Sequence, residues 1–390
     1  MSLSYFNYVF NQEYNKENRM NITDYIKIKT EKATALITQL VSIPSPTFEE
    51  KEKAEFCLEW FRTHGMRSAF IDEAGSVIYE LGDENLPTVL IMAHTDTVFS
   101  RDTEYIIRDE DGRLYCPGIS DDTANLALMM LAAAYFSGIG APSGYRLVFA
   151  ANTCEEGLGN LEGCRRIVER YKNSLCEVVA LDLYMDTIKD ECVGSERYKI
   201  TVDTLGGHSF GDFGRDNAIK IMADIINELS KIELPKEYIT TYNFGTVSGG
   251  TTVNSIASHA ELLYEYRSTI RENLEYMRGK FQDVINSFSD RYTVTAEVIG
   301  LRPCACGVNE IRLSSLIKRA ENAYDGLLMP GRAPLATDCN LPLSMGIPSV
   351  CIGLVRGGGA HTVNEYIEKD SIEDGFGIIM KFVNSYYTEK

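Results

Sequence analysis

Positive charge is scarce in this sequence. Lysine and arginine number 38 against 56 aspartates and glutamates, a formal net charge of -18 at pH 7. Nucleic acids and anionic bilayers reward patches of lysine and arginine, so neither is expected as the main partner. An anionic small substrate is not excluded, because a local basic site can sit in an acidic protein. Long apolar runs are also missing: none approaches the roughly 18–20 residues that a membrane span needs. The opening stretch MSLSYFNYVFNQEYNKENRM lacks the basic-then-apolar order of a secretory signal. It reads as a loose aromatic and polar extension, with Met20 as an alternative start. The ten cysteines follow no framework spacing, which predicts reduced thiols in a cytoplasmic protein. Cys304 and Cys306 resemble half a metal site, but no second Cys or His pair follows at finger spacing. There is no internal repeat and no low-complexity segment.

What is present is material for a large core: 390 residues, 44% of them hydrophobic, enough for two domains. Residues 22–65 carry apolar positions at helical spacing. After them, short continuous apolar runs (TVLIMA, YRLVFAA, CEVVALDL) alternate with helical patterns (ANLALMMLAAAYF, LEGCRRIVERY). Such runs predict a mainly parallel α/β sheet with helices on both faces. Near Gly194 the pattern changes to the polar–apolar alternation of half-exposed antiparallel strands, RYKITVDTL and HAELLYEYRS. With the helical segments NAIKIMADIINELSKI and ENLEYMRGKFQDVINSF and the strand YTVTAEVIG, this predicts an inserted two-layer α+β unit of β-α-β-β-α-β order. The first pattern then returns in IRLSSLIKRAENAY, PSVCIGL and a final helix. The expected division is a catalytic domain over 1–195 and 302–390 with an insertion over 196–301.

Ligands of open parallel sheets bind at the carboxyl ends of the strands, and acids and histidines gather at those ends here. His94 and Asp96 follow TVLIMA, Glu155 and Glu156 follow YRLVFAANTC, and Asp182 follows CEVVAL. Asp121 and Asp122 precede the most apolar helix, and His361 lies in the Gly-rich loop after PSVCIGLV. Imidazole nitrogen and carboxylate oxygen are zinc ligands, and a carboxylate can bridge two metals about 3.5–4 Å apart that activate one water. Asp96, two residues beyond His94, can accept that ring's other N–H and fix its tautomer. Each residue alone has a plainer reading: solvated loop, helix cap for Asp121 or Asp122, packed histidine. Those readings must hold at several clusters at once, although the chain has only five histidines. For His64, at a helix end, and His259, on a strand with no partner nearby, the plain reading stands.

The segments MAHTDTVF, GISDDTANLALMML, NTCEEGLGN, ALDL and GGGAHTVNEY resemble the metal-site motifs of the two-zinc peptidase and deacylase superfamily. That group includes aminoacylase, acetylornithine deacetylase, succinyl-diaminopimelate desuccinylase, carboxypeptidase G and peptidase T. GGHSFGDFGRDNAI, NFGTVSGGTTVNSIASHAELLYEYRS and ATDCNLPLSMGIPSV extend the resemblance, in order, from about residue 30 to the end. It implies one zinc on His94, Asp121 and Asp182, and a second on Glu156, His361 and the shared Asp121, with cobalt or manganese as substitutes. It further implies that Asp96 orients His94 and that Glu155 is the general base. On the same resemblance, His208 would stabilise the oxyanion from a neighbouring subunit, and Asn254 and Arg267 would contact substrate. The Asp121–Asp122 peptide is expected to be cis, and the insertion to be a lid through which a homodimer forms. For His208 the plain alternative is a turn residue beside two glycines, and for Arg267 a surface ion pair on an exposed strand face. Thr123 stands where many relatives have lysine, which bears on the subgroup and not on the metals. EEGLGNLEG and GGHSFGDFG look nearer to the peptidase-T-like and dipeptidase-like branches.

The leading expectation is therefore a two-zinc exopeptidase acting on di- or tripeptides. Its alternative is an N-acyl-amino-acid deacylase of the same superfamily. More remote are a cysteine hydrolase using Cys154, which needs a nearby histidine, and a non-catalytic binding member.

Overall fold

Seven consecutive buried residues, Thr88–His94, mark a strand covered on both faces. In the computed structural model, which describes residues 20–327 and 330–388, this strand is central to an eight-stranded sheet. The expected loose extension, Met20 apart, lies outside the described residues. The strand order is Phe70–Ile71, Val77–Leu81, Arg146–Asn152, Thr88–His94, Leu175–Leu181, Ser349–Ile352, Thr187–Lys189, Gly331–Arg332. The four strands from Arg146–Asn152 to Ser349–Ile352 run parallel. Val77–Leu81 and Thr187–Lys189 flank them antiparallel.

The apolar runs read from sequence account for this centre. The helix Ala124–Ile139 is buried from Ala124 to Phe136 and packs against the helices Ile22–Val41 and Ser371–Thr388. Gly375 permits a close approach: a Cβ there would stand 1.5 Å from the Leu354 carbonyl oxygen. The helical pattern of residues 22–65 resolves into Ile22–Val41 and Lys51–Thr63. Pro44 and Pro46 break it, since proline cannot continue a helix. Asn21 caps the first helix by accepting from the Asp24 N–H at 2.9 Å.

The described residues divide into two compact units, one of residues 20–191 with 307–327 and 330–388 and one of Cys192–Cys306. The second is slightly wider than 196–301, because its first strand begins at Gly194 and its last ends at Arg302. It is a four-stranded antiparallel sheet in the order Thr240–Gly249, His259–Ser268, Gly194–Asp203, Thr293–Arg302. The helices Ala218–Leu229 and Arg271–Ser289 cover one face. Ile221, Met222 and Ile225 pack there with Ile200, Leu262, Tyr264 and Phe281, giving the expected β-α-β-β-α-β order. The sequence did not locate the strand Thr240–Gly249: it is largely exposed and bulged at Phe244/Thr246, so its alternation is weak.

Two histidines outside the clusters behave as packed or paired residues. His64 stacks on Trp60 with centroids 3.9 Å apart. His259 does have a partner, contrary to the sequence reading. The antiparallel register sets it opposite Asp203, whose Oδ1 lies 2.8 Å from its Nδ1.

Candidate metal centre

Parallel strands bring their carboxyl ends to one edge, and the candidate ligands of the first unit meet there. His94 closes its strand opposite Asn152. Asp182 follows Leu175–Leu181, its N–H donating to the Ile352 carbonyl at 3.1 Å. Asp121 sits in the short turn before the helix Ala124–Ile139, and the Asp121–Asp122 peptide is cis. Gly118 begins that turn at φ +74, where a Cβ would stand 2.6 Å from Thr97 Cγ2. His361 lies in its loop at φ 64.

The two imidazoles reach the two oxygens of one carboxylate. His94 Nε2 is 3.0 Å from Asp121 Oδ1, and His361 Nε2 is 3.1 Å from Asp121 Oδ2. Glu156 Oε1 stands 3.0 Å from His361 Nε2, and Asp182 Oδ1 3.9 Å from His94 Nε2. Atoms of His94, Asp121 and Glu156 lie within 4.8 Å of one another. Asp182 Oδ1 is buried and accepts no hydrogen bond among the described residues. An orphaned carboxylate oxygen beside an imidazole is costly unless a cation completes it. Two imidazole nitrogens and three carboxylates are a donor set for a zinc-like ion, so these residues fit a metal centre.

Charge at the cluster points the same way. Burial pulls the His94 imidazole down, but hydrogen bonds to Asp121 and Asp96 outweigh it and its pKa is well raised. Hydrogen bonds to Asp121 and Glu156 lift His361 to about 10. Burial opposes ionisation of Asp121, yet the two imidazoles hold its carboxyl below the usual carboxylate range. Burial and the neighbouring Asp121 push Asp182 up. Without metal, protonated imidazoles are the cations that these carboxylates share.

Glu155 and Glu156 are seated by Asp96. Their backbone N–H groups donate to Asp96 Oδ1 at 3.0 Å and Oδ2 at 2.9 Å, and Thr47 Oγ1 donates to Oδ2 at 2.9 Å. His94 Nδ1 is nearer to the Asp96 backbone carbonyl, at 3.0 Å, than to its carboxylate, at 3.5 Å. Asp96 thus joins the loop after His94 to the loop that carries both glutamates, a contact the sequence reading did not foresee. Both glutamates are buried.

Cys154 lacks the character of a nucleophile. It is buried, its Sγ is 3.5 Å from Glu50 Oε1, and burial pushes the thiol up to about 12, so it is protonated near neutral pH. Cys304 and Cys306 do not form a ligand pair: Cys304 is buried in the core of its unit and Cys306 is exposed beside Arg271.

His208, Asn254 and Arg267 belong to the second unit. His208 is exposed in a short ladder with Ser255. Its Nδ1 accepts from the Phe210 and Gly211 N–H groups at 3.3 and 3.2 Å, which leaves the neutral ring's proton on Nε2. Asn254 is exposed, and its carbonyl accepts from the Ser209 N–H at 3.1 Å. Arg267 forms a two-pronged pair with Glu265 at 3.0 and 3.2 Å, and Arg197 reaches the same carboxylate at 3.2 Å.

Two further carboxylates support the site. Asp122, weighed in the sequence only as a helix cap and as the second residue of the expected cis peptide, accepts the His94 N–H at 2.9 Å and the Asn125 amide at 2.6 Å. Glu365, within the quoted GGGAHTVNEY, is fully buried against the Asp121 turn. Its place in that motif was the available signal.

Comparison with known proteins agrees with this geometry. The profile of the Peptidase family M20/M25/M40 matches residues 90–385. A succinyl-diaminopimelate desuccinylase of Burkholderia multivorans is 24% identical over 303 residues, covering 72% of this chain and 78% of the relative. A tripeptidase from Staphylococcus aureus superposes with a TM-score of 0.74 at 22% identity, over 92% of this chain and 99% of that one. A Bacillus subtilis protein described as a dinuclear metal binding peptidase from the M20 family superposes with a TM-score of 0.61 at 17% identity, over 92% and 98%. With three quarters of its length matched and a buried His/Asp/Glu cluster at the strand ends, the chain belongs to the Peptidase family M20/M25/M40 and is a metal-dependent hydrolase.

Proposed function

We propose that the chain hydrolyses an amide bond in a small peptide, acting as an exopeptidase on di- or tripeptides. Two zinc ions would be held, one by His94, Asp121 and Asp182, the other by Asp121, Glu156 and His361. The observation that carries this reading is the placement of the two imidazoles on opposite oxygens of Asp121, the arrangement expected of a shared ligand. When bound, the metals supply a polarised water and a positive field at the substrate carbonyl.

The chain's own groups do the rest. Glu155 takes the proton from the attacking water and returns it to the departing amine, one carboxylate acting as base and then acid. Asp96 holds the backbone of both glutamates, so their two jobs share one support. His208 donates its Nε2–H to the developing oxyanion from a second copy, a role supported by the tautomer its loop imposes. Asn254 and Arg267 bind the substrate. A substrate carboxylate at Arg267 would share the guanidinium with Glu265, whose charge Arg197 already offsets.

A homodimer through the second unit is supported by its exposed apolar residues Phe210, Phe213 and Val247 and by the edge strand Thr240–Gly249. Ten cysteines, none of them in a disulfide, fit a reducing cytoplasm, and no described helix is long and apolar enough to cross a membrane. The second reading, deacylation of an N-acyl amino acid, is favoured by the desuccinylase match. A turnover screen of di- and tripeptides against N-acetyl and N-succinyl amino acids, with and without chelator, separates the two. Peptide cleavage that stops on chelation supports the proposal. Turnover of acyl amino acids alone replaces it with the second reading.

A further inference from the structure

We infer that Glu365 is a positioning residue for Asp121: its buried carboxylate gathers the backbone of residues 118–121 and thereby sets where Asp121 meets the two imidazoles. The inference rests on the proposed metal role of Asp121. Glu365 is 0% exposed and comes from a segment 244 residues away in sequence. Its Oε1 accepts the Ser120 N–H at 2.7 Å, the Asp121 N–H at 2.9 Å and the Ser120 hydroxyl at 2.8 Å. Its Oε2 accepts the Gly118 N–H at 3.0 Å. Its backbone carbonyl also accepts the Cys116 N–H at 3.0 Å.

A second acid buried near Asp121 raises the electrostatic cost of the cluster, since two like charges in low dielectric repel. A carboxylate in that position needs a reason, and the donor set gives one. Four donors converge on it, and only a group that accepts on both atoms can satisfy them all. Glutamine has the same shape, but it must turn its amide N–H₂ toward at least one of those donors. The turn has little other freedom, because Gly118 is left-handed and its missing Cβ faces Thr97. Glu365 also lies four residues after His361, whose Nε2 is 3.1 Å from Asp121 Oδ2. One short segment therefore carries a candidate ligand and the clamp for the carboxylate that ligand faces, so the spacing between them is set locally.

The test uses the full-length chain stripped of metal and titrated with Zn²⁺ and Co²⁺, reading stoichiometry, affinity, the Co²⁺ absorption spectrum and steady-state turnover. Glu365→Gln is expected to weaken metal binding by about 10–100-fold, to change the Co²⁺ spectrum, and to lower kcat with KM little changed. Glu365→Asp, which keeps both acceptors on a shorter stem, is expected to fall between Gln and the parent. A merely structural residue would lower thermal stability and leave affinity and spectrum alone. Parent-like affinity and spectrum in Glu365→Gln would overturn the inference. If that variant does not fold, Ser120→Ala removes one of the four donors. It is expected to weaken metal binding severalfold, and parent-like affinity there overturns the inference too. His94→Ala separates the two levels. If it keeps full metal content, the metal-site reading fails. If it loses metal while Glu365→Gln does not, only the role of Glu365 fails.

Discussion

Metal affinity should rise steeply with pH, and the size of the rise follows from His361. Hydrogen bonds to Asp121 and Glu156 lift its imidazole to about 10, so the metal-free chain carries it protonated throughout the neutral range. A metal takes only the neutral ring, so binding must expel that proton. Each expelled proton makes affinity about tenfold stronger per pH unit, ~1.4 kcal/mol. From pH 6 to pH 8, His361 alone predicts a gain of about a hundredfold. His94, also raised, adds to it. The sign on stability is opposite with and without metal. In the metal-free chain the raised imidazole contributes stability that is full below its ordinary value near 6.5 and is lost as pH rises through about 10. The metal-loaded chain gains stability over the metal-free one as pH rises. Calorimetric titration of Zn²⁺ in buffers of different ionisation heat counts the protons released. Affinity that is flat from pH 6 to pH 8, with no buffer dependence, would refute the reasoning.

Four variants test other parts of the site. Glu155→Gln should keep its metal content by elemental analysis and lose about 10²–10⁴ in kcat, the range of a proton-transfer group, whereas Glu156→Ala should lose metal first, because its carboxylate faces His361 at 3.0 Å. Cys154→Ser should keep turnover in the same assay, since a thiol pushed up to about 12 is no nucleophile near neutral pH; loss of turnover with metal retained would revive a role for the cysteine. Gly118→Ala forces a side chain into a left-handed turn and against Thr97. It should cost about 1–3 kcal/mol in denaturant unfolding and weaken metal binding with it.

The parallel centre was legible because its strands are buried on both faces and read as continuous apolar runs, as Thr88–His94 does. The clusters at the strand ends were legible because parallel strands deliver their carboxyl ends to one edge. The strand Thr240–Gly249 was not located, since exposure and a bulge erase its alternation. The partner of His259 was missed because register, not sequence distance, sets it opposite Asp203. Asp96 was legible as a support of His94 and not of the two glutamates, and Glu365 only as part of GGGAHTVNEY. Both accept backbone N–H groups from distant turns, and every residue but proline offers that donor, so no side-chain pattern marks the pairing.

The central claim is that the cluster around Asp121 holds the metals that the hydrolysis needs. The most direct measurement is metal content and turnover of the full chain before chelation, after it, and after Zn²⁺ is restored. The account predicts two metals per chain, loss of turnover with their removal, and recovery on their return. Full turnover from a metal-free chain would contradict it.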